Sequence, residues 1–267
     1  MGKLKYSQEI IRQWAKIYLS GKSIGEIVKI TKYPATTIIR NLKKIKIKLR
    51  PQSSYRKYSL DETMFEKINT PNKAYFLGLL MADGCVSQNQ DIIKIALQEK
   101  DKQILEDVKT ALNIEYPLRY GKSCVYSCQG SYILSLCSLK VKKDLIKLGC
   151  NPKKSLTLKF PKIDKRLFFH FIRGYFDGDG CITYDKRRFN EPRVIFCSSH
   201  SFCKKMKIEL KKQQFNSSIY KKGKISSLHI RGGAKKVFKF LDLIYKNADL
   251  KLDRKYQRYI DGKAKSL

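Results

Sequence analysis

The chain has few acidic residues: 23 Asp and Glu stand against 57 Lys and Arg in 267 residues, which leaves a formal charge of +34. So large a positive field must be balanced by counterions. This favours a polyanionic partner, nucleic acid above all, over an unpartnered basic surface. Long apolar runs are also lacking, and none reaches the roughly 18 residues of a membrane-spanning helix. The composition therefore predicts a nucleic-acid partner and no membrane.

Histidine is scarce, and cysteine is not arranged as in a metal site. The three His and eight Cys include no Cys-x-x-Cys pair, and no cysteine stands beside paired histidines, which argues against zinc. The amino-terminal segment is charged and amphipathic, unlike a signal peptide. We therefore expect free thiols in a reducing compartment inside the cell.

Residues 1–50 carry the apolar pattern of three short helices. Ser23 and Glu26 form a capping box that starts the second helix, and Pro34 stands near the start of the third. A short polar turn joins these two helices, and a basic tail, 43–50, follows them. The pattern is typical of a helix-turn-helix-like DNA-binding domain, with a generic three-helix cap as the alternative.

In the DNA-binding interpretation, the third helix faces the major groove with small, hydroxylated and basic side chains: Ala35, Thr36, Thr37 and Arg40. Residues 51–69 are interpreted as a polar linker followed by a short helix. A second capping box, formed by Ser59 and Glu62, would start that short helix.

One motif occurs twice, at 75–84 and 172–180: an apolar run with a central glycine that ends in a small residue, an aspartate and a glycine. Around each copy the residue pattern predicts the element order α-β-β-α-β-β-α, in repeats at 70–162 and 163–267. Two such repeats, with helices on one side of antiparallel sheets, give an α+β fold.

The two motif helices are predicted to be buried and to pack against each other. They are apolar on nearly every side, which is typical of a buried helix. Small residues four positions apart line one face of each helix and allow two backbones to approach closely. These residues are Gly78 and Ala82 in the first helix, and Gly174 and Gly178 in the second.

Such packing would bring Asp83 and Asp179 together at the carboxyl ends of the two helices. There the helix macrodipole and the second carboxylate both disfavour negative charge. A divalent cation would relieve both effects, and Mg²⁺ prefers one or two carboxylates with waters and phosphate oxygens. The pair therefore predicts a metal site for phosphodiester chemistry. Gly84 and Gly180 are expected in the left-handed conformation that ends a helix.

Residues 77–84, Leu-Gly-Leu-Leu-Met-Ala-Asp-Gly, and 173–180, Arg-Gly-Tyr-Phe-Asp-Gly-Asp-Gly, resemble the name-giving motif of the LAGLIDADG homing endonucleases, in their single-chain class with two motifs. The resemblance covers about residues 60–260. It implies a monomer whose two saddle-shaped sheets grip the DNA major groove and whose motif helices meet at a pseudo-twofold axis. It also implies Mg²⁺ bound by Asp83 and Asp179, cleavage of both strands of double-stranded DNA with 3′ overhangs, and the spread of an intron or intein.

The resemblance suggests roles for residues outside the motifs as well. Gln98 looks like the family's polar residue that orders water near the metal, with Ser199 or its neighbour as a weaker counterpart. Lys154 and Lys255 resemble the lysines near the scissile phosphate, where a cation can stabilise phosphate charge; plain surface lysines are the alternative. Met81 replaces the motif's first aspartate, which is not the catalytic one. Base readout is expected from strand side chains: Lys94, Arg187, Arg193 and Tyr220.

Two other functions fit parts of the sequence. Intron maturases and some transcription regulators resemble this family and bind RNA or DNA without cutting it. Both aspartates are present here, which favours cleavage but leaves intron RNA open as a further partner. A haloacid-dehalogenase-like phosphatase would use Asp177 as a nucleophile after a β-strand, whereas the preceding residues show helical spacing. The terminal residues lack the features of an intein, so we expect a free-standing enzyme encoded within an intron.

Overall fold

The computed structural model describes residues 6–50, 57–122, 130–185 and 191–265. The chain divides into two compact units, 1–57 and 58–267. Among the described residues, no helix has both the length and the apolar character needed to cross a bilayer. Arg187, one of the residues predicted to read DNA bases, lies outside the described ranges.

The described part of the first unit contains three helices: α1 (Gln8–Leu19), α2 (Ile24–Thr31) and α3 (Ala35–Lys44). The predicted capping box at the start of α2 is present, with Ser23 and Glu26 bonded reciprocally. The buried faces of the three helices form one small core, which consists of Ile11, Trp14, Ala15, Tyr18, Ile27, Ile38 and Leu42.

The second unit contains the two repeats in the predicted order, which confirms the α+β fold class. The first repeat comprises α4 (Pro71–Asp83), β1 (Gly84–Val86), β2 (Ile92–Gln98), α5 (Lys102–Ala111), β3 (Leu118–Lys122), β4 (Gly130–Cys137) and α6 (Leu139–Lys147). The second comprises α7 (Phe168–Asp179), β5 (Gly180–Asp185), β6 (Glu191–Ser199), α8 (His200–Lys212), β7 (Ser217–Lys222), β8 (Ile225–Ile230) and α9 (Gly233–Tyr245). A further helix, α10 (Asp253–Ala264), follows α9 within the predicted bounds of the second repeat and was not predicted.

Each repeat forms a four-stranded antiparallel sheet, and the two sheets have equivalent strand orders, β1-β2-β4-β3 and β5-β6-β8-β7. Their registers correspond as well, because Gly84 lies opposite Ile95 and Gly180 lies opposite Phe196. Burial alternates along β2 and along most of β6, so each sheet has one face against the helices and one outward face.

The motif helices α4 and α7 pack directly against each other at their small residues. A Cβ atom added to Gly78 would lie 2.2 Å from the carbonyl oxygen of Phe171. One added to Gly174 would lie 1.9 Å from the carbonyl oxygen of Tyr75. Any larger side chain at these glycines would therefore force the two helix backbones apart.

Two local predictions are wrong. Gly84 and Gly180 are extended, with φ of −73° and −88°, and are not left-handed. Each begins a strand immediately after its helix. Glycine is needed there for space, since an added Cβ would lie 2.5 Å from the carbonyl oxygen of Leu80 or 2.3 Å from a ring carbon of Phe176.

The short helix predicted to begin at Ser59 does not form in the described part of that segment, 57–69, where residues 62–66 are turns. The two groups of the expected capping box have distant partners instead. The Ser59 backbone N–H donates to the Glu115 carboxylate at 2.8 Å, and Glu62 accepts from the Ser138 hydroxyl. These tertiary contacts outweigh the local capping preference.

Candidate active site

The two motif aspartates lie close together at the carboxyl ends of α4 and α7. Both side chains are solvent-accessible, and a Cβ added to Gly178 would lie 3.0 Å from an Asp83 carboxylate oxygen. Partial desolvation by the surrounding protein, and then the charge of Asp179, raise the pKa of Asp83 to about 6. Desolvation also raises the pKa of Asp179. The structure thus brings together two carboxylates whose ionisation is disfavoured in the absence of a cation.

Lys255 lies at the carboxyl end of α7 and is almost fully buried. Its Nζ donates to the carbonyl oxygens of Phe176, Gly178 and Gly180 at 2.6, 2.8 and 2.7 Å. These include carbonyls that the end of a helix leaves without backbone partners. Desolvation lowers the pKa of Lys255 to about 8, and the charge of Asp177 is the largest influence opposing that shift.

Lys154 occupies the equivalent place at the end of α4. Its Nζ donates to the carbonyl oxygen of Met81 at 2.8 Å and to that of Ala82. Each aspartate is influenced more strongly by the lysine at the end of the other motif helix. Lys255 lowers the pKa of Asp83 more than Lys154 does, while Lys154 lowers that of Asp179 more than Lys255 does. Two carboxylates and two ammonium groups therefore form one cluster.

Gln98 is exposed at the end of β2, three positions beyond Ile95, the residue opposite Gly84. The equivalent register position in the second repeat is Ser199, as proposed, but this side chain is buried. Its hydroxyl donates to the carbonyl oxygen of Leu158 at 2.7 Å and accepts from the Phe202 N–H at the start of α8. Ser199 is therefore a helix cap, and the two repeats differ at this position.

The predicted base-reading residues that are described lie on the outward faces of the sheets. Lys94 is exposed on β2. On the second sheet, Arg193 forms an ion pair with Asp185, and the exposed Tyr220 packs its ring against His229 with centroids 4.7 Å apart. The strand register places Arg193, Tyr220 and His229 on the same face of that sheet.

A buried polar network lies beside the cluster and was not predicted from the sequence. Asp177 is 1% exposed and accepts hydrogen bonds from the Tyr75 hydroxyl and the Leu252 N–H, both at 2.8 Å. Arg173, also 1% exposed, donates to the carbonyl oxygens of Leu250 and Ile244. Burial raises the pKa of Asp177 to about 6. The sequence did carry a signal, because charged residues inside an apolar, buried helix require specific partners.

A cavity of about 460 Å³ opens between β5 and α10, next to Asp179. Basic side chains from α10 line one side of it, namely Arg254, Lys255 and Arg258. Arg254 is also bonded through its Nε to the Asp101 carboxylate of the first repeat, at 3.0 and 3.1 Å. The positive wall is suited to a phosphate group.

The aspartate pair fits a hard divalent cation. No cluster of three or more Asp, Glu, His or Cys suited to a metal occurs within the described ranges, so the protein would supply two carboxylates here. Mg²⁺ is commonly bound in this way, with waters and substrate phosphates completing its octahedral shell. The raised pKa of each aspartate reflects a charge that such an ion would neutralise.

A family model and several solved structures are similar to this chain. The family described as LAGLIDADG-like domain matches residues 70–127 and 169–258. The homing endonuclease I-WcaI, solved bound to its DNA recognition sequence, is 14% identical, with 80% of this chain and 96% of that chain covered and a TM-score of 0.51. Full-length DUF199/WhiA from Thermatoga maritima is 16% identical, with 75% and 64% covered and a TM-score of 0.49.

Among curated proteins, the probable translation initiation factor IF-2 of Methanocaldococcus jannaschii is 25% identical over 155 residues. The match covers 55% of this chain and 12% of that protein. The chain thus spans a small part of that relative's length.

Proposed function

The chain belongs to the family of LAGLIDADG-like domains, and from this premise we propose that it is a site-specific endonuclease that cleaves both strands of double-stranded DNA. One observation carries the proposal: Asp83 and Asp179 end two neighbouring helices, and a lysine lies at the end of each helix. A DNA substrate also accounts for the formal charge of +34. I-WcaI, which shares the fold, is bound to DNA in its structure.

We propose Mg²⁺ as the cofactor, held by the carboxylates of Asp83 and Asp179. When bound, the ion would polarise a phosphoryl oxygen and activate water for attack on phosphorus. The protein's part is to hold two carboxylates at one point despite their repulsion. The packing of α4 against α7 does this, because the glycine contacts allow the helix ends to approach.

Lys154 and Lys255 would supply positive charge where the phosphate gains negative charge during cleavage. The helix carbonyls already hold both ammonium groups in place, so little reorganisation is needed when DNA binds. The amide of Gln98 would orient a water molecule at the first half of the site. DNA would lie along the outward sheet faces, in contact with Lys94, Arg193 and Tyr220. A base contact by Arg187, which lies outside the described residues, is proposed from the sequence alone.

The resemblance to homing endonucleases adds two finer expectations, namely 3′ overhangs and a role in intron mobility. We would test the function by incubating the protein with host DNA from an allele that lacks the intron, in Mg²⁺ or in EDTA, and mapping all new ends. A Mg²⁺-dependent double-strand break at one locus is the expected result. Cleavage that persists in EDTA would contradict the proposed site.

Asp83→Asn and Asp179→Asn separate chemistry from binding. Each should lower the cleavage rate by about 10³-fold or more, since a catalytic metal contributes several kcal/mol. Each should retain DNA affinity in a gel-shift assay, because the substitution removes no positive charge. If either variant cuts normally, the metal site is wrong. If the wild-type protein binds one DNA locus tightly and never cuts it, the non-cleaving regulator is supported instead, and intron splicing would be assayed next.

A further inference from the structure

The first unit is the most basic part of the chain and lies outside the residues that match the family. Residues 1–57 contain 15 Lys and Arg but only two acidic residues, Glu9 and Glu26. Glu9 stands in the first turn of α1, and Glu26 is bonded within the capping box of α2. From residue 27 to residue 57 there is no acidic side chain at all. The positive charge of α3 and its tail is therefore not balanced within that segment.

Helix α3 is divided into a buried face and a polar, basic face. Ile38, Asn41 and Leu42 lie against the core of the unit. Thr36 and Arg40 are exposed, and Thr37 is partly exposed. The turn that separates α2 from α3 is only residues 32–34, with Lys32 in the left-handed conformation. This is the length of turn found in helix-turn-helix units, which leave the second helix accessible.

The tail after α3 is folded back onto the same unit by Arg50. The Arg50 backbone N–H donates to the Tyr18 hydroxyl at 2.6 Å, and its guanidinium donates to the carbonyl oxygens of Tyr18, Gly21 and Lys22. The guanidinium carbon also lies 4.4 Å from the centre of the Tyr18 ring. Arg50 is thus a structural residue, and its contacts fix the tail that carries the exposed Lys46 and Lys48.

We propose that the first unit is a second double-stranded DNA-binding module, which reads bases in the major groove through α3. Thr36, Thr37 and Arg40 would face the base edges, and the exposed lysines of α3 and the tail would contact phosphates: Lys43, Lys44, Lys46 and Lys48. B-form DNA suits this surface because its major groove, about 12 Å wide, admits one helix. The major groove of A-form RNA is too deep and narrow for this kind of readout.

The module would lengthen the recognised target beyond the part bound by the catalytic unit. The proposal does not depend on cleavage, because it concerns binding alone. The same unit also exposes two apolar side chains, Leu19 at 72% and Ile30 at 59%. These side chains could instead form a contact with a protein partner. The experiment must therefore distinguish DNA from a protein partner.

The test compares Arg40→Ala with Arg12→Ala in the full chain, by footprinting and by affinity for a selected DNA target and its single-base variants. Arg12 is an exposed arginine on α1, so replacing it by alanine removes the same charge and leaves α3 unchanged. Arg40→Ala should weaken binding about 5- to 150-fold and relax base preference in one outer segment of the footprint. Arg12→Ala should weaken binding to all targets equally and by less.

A second variant, Thr36→Ala, should change base preference at the same outer segment with a smaller loss of affinity. For both α3 variants the affinity should be measured in EDTA, so that the result concerns DNA binding and does not depend on the active site. Equal effects of Arg40→Ala and Arg12→Ala, with no change in base preference, would overturn the proposal. So would Leu19→Ser or Ile30→Ser altering the footprint while Arg40→Ala does not.

Discussion

Lys255 donates to three carbonyls at the end of the second motif helix, whereas Lys154 donates to two carbonyls at the end of the first. Lys255 is 8% exposed and carried by a helix, α10. Lys154 is partly exposed and begins a short 3₁₀ turn, Lys154–Leu156. Each repeat thus has a lysine ammonium group at the end of its motif helix, but a short turn carries it in the first repeat and a helix carries it in the second.

The difference begins at one motif position, where the first repeat has Met81 and the second has Asp177. Both side chains are buried. The Asp177 carboxylate accepts from the N–H of Leu252, the residue that precedes α10, and so fixes the start of the helix that carries Lys255. The Met81 side chain has no carboxylate that could accept such a bond. The motif aspartates Asp83 and Asp179 are therefore placed symmetrically, while the network that positions their neighbours is not symmetric.

The largest expected effect comes from replacing the lysines. Lys255→Met leaves three carbonyls and Asp177 without a buried cation, so it should lower the free energy of unfolding by about 3–5 kcal/mol. Lys154→Met, at a more open site, should cost about 1–2 kcal/mol. Urea denaturation of the two variants measures both values. Equal losses would show that the two halves are supported alike.

A smaller effect is expected at Asp177. Asp177→Asn keeps the shape but turns one acceptor into a donor, which should cost about 2–3 kcal/mol. It should also slow cleavage of one DNA strand more than the other and let a nicked intermediate accumulate, because Lys255 is displaced and Lys154 is not. Strand-specific end labels on one target measure this. Met81→Leu is the matched control, with a cost below about 1.5 kcal/mol and no nick. Equal slowing of both strands by Asp177→Asn would refute the asymmetric role.

The smallest expected effect is a gain. Without metal, Asp83→Asn should stabilise the protein at pH 7 by about 1 kcal/mol, because it removes a repelled carboxylate. The folded protein binds the Asp83 proton with a pKa of about 6, against about 3.9 in the unfolded chain. Wild type should therefore lose stability relative to the variant as pH rises from about 4 to about 6.

Thermal unfolding in EDTA across this pH range checks that prediction. Added Mg²⁺ should then raise the melting temperature of wild type and leave that of Asp83→Asn nearly unchanged. If the variant is less stable than wild type in EDTA, the surroundings of Asp83 do not disfavour its negative charge.

Much of the fold could be predicted because it is encoded locally. The element order follows from apolar periodicity, and the small residues at Gly78 and Gly174 indicated that the motif helices meet. The aspartate pair followed from that packing. The lysines were selected by resemblance, and no local pattern could show that they bond to helix carbonyls more than 70 residues away. Their proposed roles, and those of Gln98 and the base-reading residues, stay predictions.

The errors have the same physical origin. Gly84 was expected to be left-handed because glycine often ends helices in that way, but here the following strand begins at once and requires an extended backbone. The capping box at Ser59 was not formed because Glu115 and Ser138 engage its groups. Arg173 and Asp177 form their network with residues near 244–252, which pattern reading cannot place.

The packing of α4 against α7 also determines how the polypeptide must be organised. Residues of both repeats belong to one continuous buried cluster, so neither repeat has a closed interior of its own. If the repeats were cut into two polypeptides, each would expose the helix face that now contacts its neighbour. The two would then have to find each other by diffusion. Joining them in one chain replaces that encounter with an effective concentration on the order of millimolar. A single copy of the protein can therefore assemble the whole aspartate pair, whatever its concentration.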